Sequence, residues 1–243
     1  MADVEKPTIT HSSIFHEFIS SIHRVGLIDT FLLTISRGVD FLFDWKYGLD
    51  TSKRVELSAL DIKEGSTAHG SPYQPTGVLA FRKALRAVSI PQPVTFVDYG
   101  SGKGRTLVLA AMAGFENVIG IEFSSELCDS ASDNLEKTKA IFPNKQTETT
   151  VVCIDAVKYQ YTDKENVFYF FYPFDNTLMK RVFTTIEASI VRNPRDAIII
   201  EYVPLSITYT SFSESNLFEL EKSLTIFGYK CSFYRTKPQL ESK

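Results

Sequence analysis

The stretch Phe96-Val97-Asp98-Tyr99-Gly100-Ser101-Gly102-Lys103-Gly104-Arg105 decides the reading of this chain. The apolar run reads as a buried strand, the three alternate glycines as a turn, and Arg105 to Ala113 as the helix that follows. Glycine lets the backbone pass close to a ligand where a Cβ would clash. The first turn of the helix points unpaired N–H groups at whatever lies before it. A second apolar run, Val118-Ile119-Gly120-Ile121-Glu122, ends in an acid. Glu122 lies 22 positions after Gly100, near the ~20-residue offset at which a doubly wound sheet places a carboxylate on ribose hydroxyls. Together these signals point to a nucleoside-containing ligand.

The details narrow the ligand. In the dinucleotide pattern G-x-G-x-x-G the third glycine would fall at position 105, which is Arg105; here it falls at Gly104. Asp98, two residues before the first glycine, would repel a pyrophosphate and suit an ammonium group. The stretch resembles motif I of the class I S-adenosylmethionine-dependent methyltransferases, a hydrophobic-Asp-x-Gly-x-Gly-x-Gly pattern. The resemblance covers Tyr73 to about Lys237. It implies that Asp98 receives the cofactor ammonium and that Gly100, Ser101, Gly102 and Gly104 frame the methionine moiety and sugar. It further implies that Glu122 binds both ribose hydroxyls and that Phe123 lies on the adenine. Asp155 would hold the adenine amino group, with Ala156 offering its backbone N–H; the plainer reading of Asp155 is a turn or helix-capping residue.

Upstream, Tyr73-Gln74-Pro75-Thr76 precedes an apolar helix and motif I. This layout resembles the non-SET protein-lysine methyltransferases, and also a group of uncharacterised bacterial methyltransferases that share a phrase like Tyr47-Gly48-Leu49-Asp50-Thr51. It implies that Tyr73, Gln74 and Thr76 reach over the methionine end of the cofactor. Phe171-Tyr172-Pro173-Phe174-Asp175 stands where that family meets its methyl acceptor. Enzymes that methylate nucleobase amines use Asn or Asp, Pro, Pro and an aromatic there, and Tyr172 and Phe174 depart from this. An aromatic wall including Phe171 suits an aliphatic amine through cation–π attraction, although Phe171 and Phe174 could equally be core. Tyr172 is the candidate for orienting the acceptor.

The rest of the chain supports an α/β, doubly wound, mostly parallel seven-stranded sheet with an antiparallel last strand, plus an N-terminal helical extension. From Val94 onward strands and helices alternate. Strands are expected at Thr95–Tyr99, Val118–Glu122, Thr150–Asp155, Val167–Phe171 and Ala197–Glu201. Helices are expected over 105–113, about 125–142 and about 178–191. The period of two across Phe218 to Ile226 predicts a closing antiparallel hairpin with the strand from Cys231. Residues 1–70 read as the helical extension and 71–243 as the methyltransferase domain. In the extension, one amphipathic helix is expected from Ser12 toward Arg24. Another is expected to run through about Phe43, with Phe31, Ile35 and Leu42 packing on the core or lining the acceptor entrance as part of a lid.

The bulk figures exclude other classes. The chain has 243 residues, 44% hydrophobic and 23% charged, with a net charge of −3. There is no basic footprint for nucleic acid, so RNA methylation is the alternative rather than the lead. No uncharged run reaches membrane-spanning length. The three cysteines form no C-x-x-C pair, and with a polar N-terminus they point to a reducing, cytoplasmic setting. The four histidines make no metal motif. The expected function is methyl transfer from S-adenosylmethionine to an amine, on a protein lysine or a small molecule. A non-catalytic cofactor-binding module is the reading from another class.

Overall fold

The computed structural model describes residues 26–55, 73–144, 146–205, 207, 209 and 211–238. The helix expected from Ser12 lies outside the described residues. Helices α1 (Leu27–Tyr47) and α2 (Val78–Leu85) precede the sheet. Then follow β1 (Thr95–Tyr99), α3 (Arg105–Ala113), β2 (Asn117–Glu122), α4 (Ser125–Ile141) and β3 (Glu148–Cys153). A 3-10 turn (Ala156–Lys158), β4 (Val167–Phe170), α5 (Asn176–Arg192), β5 (Ile198–Pro204), β6 (Phe218–Ile226) and β7 (Tyr229–Thr236) complete the chain.

The seven strands lie in the order β3-β2-β1-β4-β5-β7-β6. β1 to β5 pair in parallel, and β7 is antiparallel to both β5 and β6. Strand order reverses between β1 and β4, so the crevice outside their carboxyl ends is the place where such a sheet binds ligands. The glycine turn and the Phe171–Asp175 loop both start there. β1 and β4 are buried at every residue, as expected of strands covered on both faces. One apolar core joins the sheet to α1, α2 and α3 through Phe43, Phe81, Phe96, Val108 and Tyr169. The other joins it to α5 and the following loop through Phe170, Met179, Phe183, Tyr209 and Phe212.

The outer strand β3 departs from the sequence expectation. It begins and ends two residues earlier than Thr150–Asp155, and Asp155 falls outside it, because an edge strand covered on one side carries little apolar signal. A second correction concerns α1. Phe31, Ile35 and Leu42 are exposed by 63%, 44% and 59% and do not pack on the core. The inward side of α1 instead carries Thr30, Ser36, Phe43 and Asp44. Asp40 and Asp44 meet the buried Arg105, and a buried charge is costlier to leave unpaired than an apolar side chain is to expose.

Candidate functional site

The site is built on the turn between β1 and α3. Gly100, Gly102 and Gly104 all take positive φ, at 74°, 53° and 78°, a region other residues enter at a cost. Gly100 and Ser101 donate their N–H groups to the Ile121 carbonyl at 2.8 and 3.1 Å, which ties the turn to β2. The missing Cβ atoms make room for protein neighbours. A Cβ on Gly100 would stand 2.7 Å from Pro173 Cβ, and one on Gly102 would stand 2.0 Å from Tyr73 Cδ2. On Gly104 it would stand 3.0 Å from Ala131 Cβ. Ser101 Oγ would be 2.7 Å from a Cβ on Gly120, so its hydroxyl is turned in against β2.

Two carboxyl groups flank this turn on adjacent strands. Asp98 is buried near the end of β1 and accepts the Thr106 hydroxyl. Burial pushes its pKa up to about 7, helped by the Glu122 charge and opposed by the Thr106 hydrogen bond. Glu122 is buried at the end of β2 and accepts three backbone N–H groups: Gly102 at 2.9 Å, Phe123 at 2.9 Å and Ser124 at 3.0 Å. Burial raises its pKa and these three bonds pull it back. A carboxylate offers about four lone-pair sites, so Glu122 has room for roughly one more donor. Binding two hydroxyls would require it to release the Gly102 N–H.

The remaining sequence candidates fall into three places. Tyr73 lies on the glycine turn; its ring is buried and its hydroxyl donates to the Thr51 carbonyl at 2.8 Å. Thr76 is buried, with its hydroxyl 2.9 Å from the Tyr169 hydroxyl, while exposed Gln74 donates to the Tyr229 hydroxyl at 3.1 Å. Phe123 is half-buried at the start of the loop after β2. Asp155 caps the 3-10 turn by accepting the Val157 N–H at 3.0 Å, which is the plainer of its two expected roles, and Ala156 is buried behind it. After β4, Phe171 packs on Tyr202 and Tyr229, with ring centroids 5.1 and 5.7 Å away. Tyr172 takes φ 43° and its ring lies 6.2 Å from that of Tyr209, whose hydroxyl donates to the Phe174 carbonyl.

Sequence reasoning missed Asp44, Thr51, Arg105, Tyr169, Tyr202 and Tyr229. One signal was available for Arg105. A cation at the first residue of a helix opposes the helix dipole, and such a residue needs anions nearby. Asp40 and Asp44, four residues apart, share a face of α1 and supply them. Among the described residues no group of three or more His, Cys, Asp or Glu side chains could hold a metal ion. No helix among them is long and apolar enough to cross a membrane.

No protein-family model matches the chain, and no curated protein matches its sequence. Solved structures do resemble it. An RNA methyltransferase from Salinibacter ruber, in complex with S-adenosyl-L-homocysteine, aligns with a TM-score of 0.50 at 13% identity over 70% of this chain and 97% of its own. The yhhF protein of Escherichia coli aligns with a TM-score of 0.50 at 15% identity, over 74% and 92%. A protein of the NADB-Rossmann superfamily from Streptococcus agalactiae gives 0.50 at 13%, over 70% and 72%. At such identities the likeness establishes the Rossmann-like fold.

Proposed function

We propose that this chain is an S-adenosylmethionine-dependent methyltransferase whose acceptor is an amine, on a protein lysine or a small molecule. The observation that carries this reading is the pair Asp98 and Glu122, two buried carboxyl groups on neighbouring strand ends with the glycine turn between them. The ammonium of an amino acid moiety suits Asp98, a carboxyl whose pKa burial raises and which a neighbouring cation would favour in its ionised form. A ribose hydroxyl suits the lone-pair site left on Glu122. The residues present therefore fit this cofactor better than one carrying a pyrophosphate, which would meet two carboxyl groups while Lys103 and Arg105 of the same turn are paired with Asp50, Asp40 and Asp44.

In this reading Gly100, Ser101, Gly102 and Gly104 bring the backbone against the methionine and sugar, and Phe123, Asp155 and Ala156 border the adenine. Tyr73, Gln74 and Thr76 cover the methionine end. Bound there, S-adenosylmethionine supplies a methyl group made electrophilic by its sulfonium. The chain's part is to hold the acceptor nitrogen in line and keep water out. Phe171 and Tyr172 stand at the switch point, where Tyr172 orients the acceptor. An amine that loses its proton on burial needs no strong general base. Residues 1–70 act as cover for the domain of 71–243, and the three free cysteines suit a reducing, cytoplasmic setting.

The test is to incubate the protein with methyl-labelled cofactor and cell extract. Label in protein or in small amines supports the proposal. Label confined to RNA moves the acceptor to nucleic acid. S-adenosylhomocysteine binding without any transfer makes the chain a binding module, and no binding at all removes the cofactor assignment.

A further inference from the structure

Tyr73 lies in neither a helix nor a strand of the sheet; its backbone pairs with Val55 in an isolated antiparallel bridge with N–H···O distances of 2.9 and 3.2 Å. Yet its ring lies on Gly102 so closely that no Cβ would fit between them. What holds it there is the segment 50–52, and what holds that segment is a buried polar cluster between α1 and the start of α3. Asp44 Oδ2 accepts the Thr51 N–H at 2.8 Å, the Ser52 N–H at 2.6 Å and the Ser52 hydroxyl at 2.6 Å. Asp44 Oδ1 accepts the Thr51 hydroxyl at 2.6 Å. From the other side Arg105, 1% exposed, donates Nε to Thr51 Oγ1 and Nη2 to Ser52 Oγ, both at 2.7 Å. Its Nη1 stands 3.3 Å from Asp40 Oδ2, and Nη2 3.5 Å from Asp44 Oδ2.

A second set of bonds repeats the attachment one residue earlier. Asn134 of α4 accepts the Asp50 N–H at 3.0 Å and donates to the Asp50 and Lys103 carbonyls at 3.2 and 3.0 Å. Lys103 pairs with the Asp50 carboxylate at 2.9 Å. Both residues that follow Gly102 and Gly104, Lys103 and Arg105, thus reach out of the turn and grip the same short segment. The Thr51 carbonyl is left pointing at the Tyr73 hydroxyl.

We infer that Asp44, Thr51 and Arg105 are positioning residues for the cofactor site: they fix the Thr51 carbonyl, which fixes Tyr73 over the glycine turn. This rests on the cofactor reading above but not on the identity of the acceptor. The geometry is specific to a planar fork. The Arg105 guanidinium meets two hydroxyls and two carboxylates from different directions, which a lysine ammonium on a flexible stem does not reproduce.

The test compares Thr51→Ser, Thr51→Val and Tyr73→Phe with the unmodified chain. Two readouts are taken: S-adenosylhomocysteine affinity by calorimetry, and amide hydrogen exchange of residues 73–77 and 100–104 without ligand. Thr51→Ser keeps the hydroxyl and should bind within about threefold of the unmodified chain. Thr51→Val should bind about tenfold or more weakly, with faster exchange in both segments. Should Thr51→Val fail to fold, Tyr73→Phe decides, since it removes only the hydrogen bond to Thr51 and should loosen the same two segments. Unchanged exchange and unchanged affinity in Tyr73→Phe would overturn the inference. An unmodified chain that binds no S-adenosylhomocysteine would overturn the cofactor reading instead, and the exchange comparison would still decide the positioning.

Discussion

Pro173 packs directly on Gly100, so the turn that leaves β1 and the loop that leaves β4 touch at the point where strand order reverses. A methyl group on Gly100 would stand 2.7 Å from the proline Cβ, at a φ of 74° that alanine adopts reluctantly. Gly100→Ala is therefore expected to displace Pro173 and with it Tyr172. Backbone strain of about 1–2 kcal/mol should lower the melting temperature. Methyl transfer should fall much further, since a misplacement of about 1 Å can cost on the order of 100-fold. Steady-state kinetics beside a thermal melt separate the two, and a variant with a lower melt but full turnover would detach Pro173 from the chemistry.

With the proposed cofactor bound beside it, Asp98 is expected to make the binding pH-dependent. Its pKa is raised from 3.8 to about 7, mainly by burial. The native state therefore holds the proton more tightly than the unfolded chain, and the unliganded protein loses stability as pH climbs from about 4 to about 7. The ammonium group of the ligand selects the ionised carboxylate. Affinity for S-adenosylhomocysteine should rise with pH up to about 7 and then level, and binding below that value should release a proton. Calorimetry in buffers of different ionisation enthalpy measures this directly. Proton uptake on binding at pH 6 would contradict it.

Glu122→Gln should weaken both the fold and the site. The carboxylate holds three N–H groups, and a side-chain amide turns a donor toward at least one of them. A lost hydrogen bond to a charged group is worth about 1.5–3 kcal/mol, so denaturant titration should show a drop of that order. Cofactor affinity should fall about tenfold or more, because one unit of ten corresponds to about 1.4 kcal/mol. Full stability in this variant would mean that the Gly102 N–H needs no support from the Glu122 carboxylate.

A chain begun at residue 71 loses Asp40, Asp44 and Thr51 together, and with them the ion pairs and hydrogen bonds that the Arg105 guanidinium makes. It also loses the packing of Phe43 and Leu49 on the sheet core, where burying such a side chain is worth about 1.5–3 kcal/mol. Such a fragment should unfold at clearly lower urea than the full chain. Equal midpoints for fragment and full chain would show that α1 contributes nothing to the stability of the sheet domain.

The sequence was most legible where local chemistry is strongest. β1 and α3 fall within the expected bounds because the glycine rhythm marks the end of one and the start of the other. The closing hairpin was readable because apolar and polar residues alternate in sequence from Phe218 to Ile226, although Leu220 is exposed and the register shifts between Leu220 and Lys222. β3 was displaced because its residues alternate weakly at the sheet edge. Phe31, Ile35 and Leu42 of α1 were expected to pack on the core or to line the acceptor entrance, and the core packing does not hold. The orientation of α1 is set instead by Arg105, some sixty residues away, and no local period carries a pairing of that range. The aromatic partners Tyr202 and Tyr229 were equally silent, since each is an ordinary strand residue until β5 and β7 lie side by side.

The place of β7 bears on how this protein is made. β5 reads Ile198-Ile199-Ile200-Glu201-Tyr202-Val203-Pro204 and is buried along nearly its whole length. Its outer partner is β7, which follows both β5 and β6 in the chain and is paired with β5 from Ile198↔Arg235 to Pro204↔Tyr229. While the chain is still growing, β5 is therefore the open margin of a five-stranded sheet, apolar on both sides, with unpaired backbone groups facing outward. Such a margin is a template for foreign strands. A chain cut before Tyr229 should be not a shorter working domain but an adhesive product, one that depends on chaperones because no β7 seals the β5 margin.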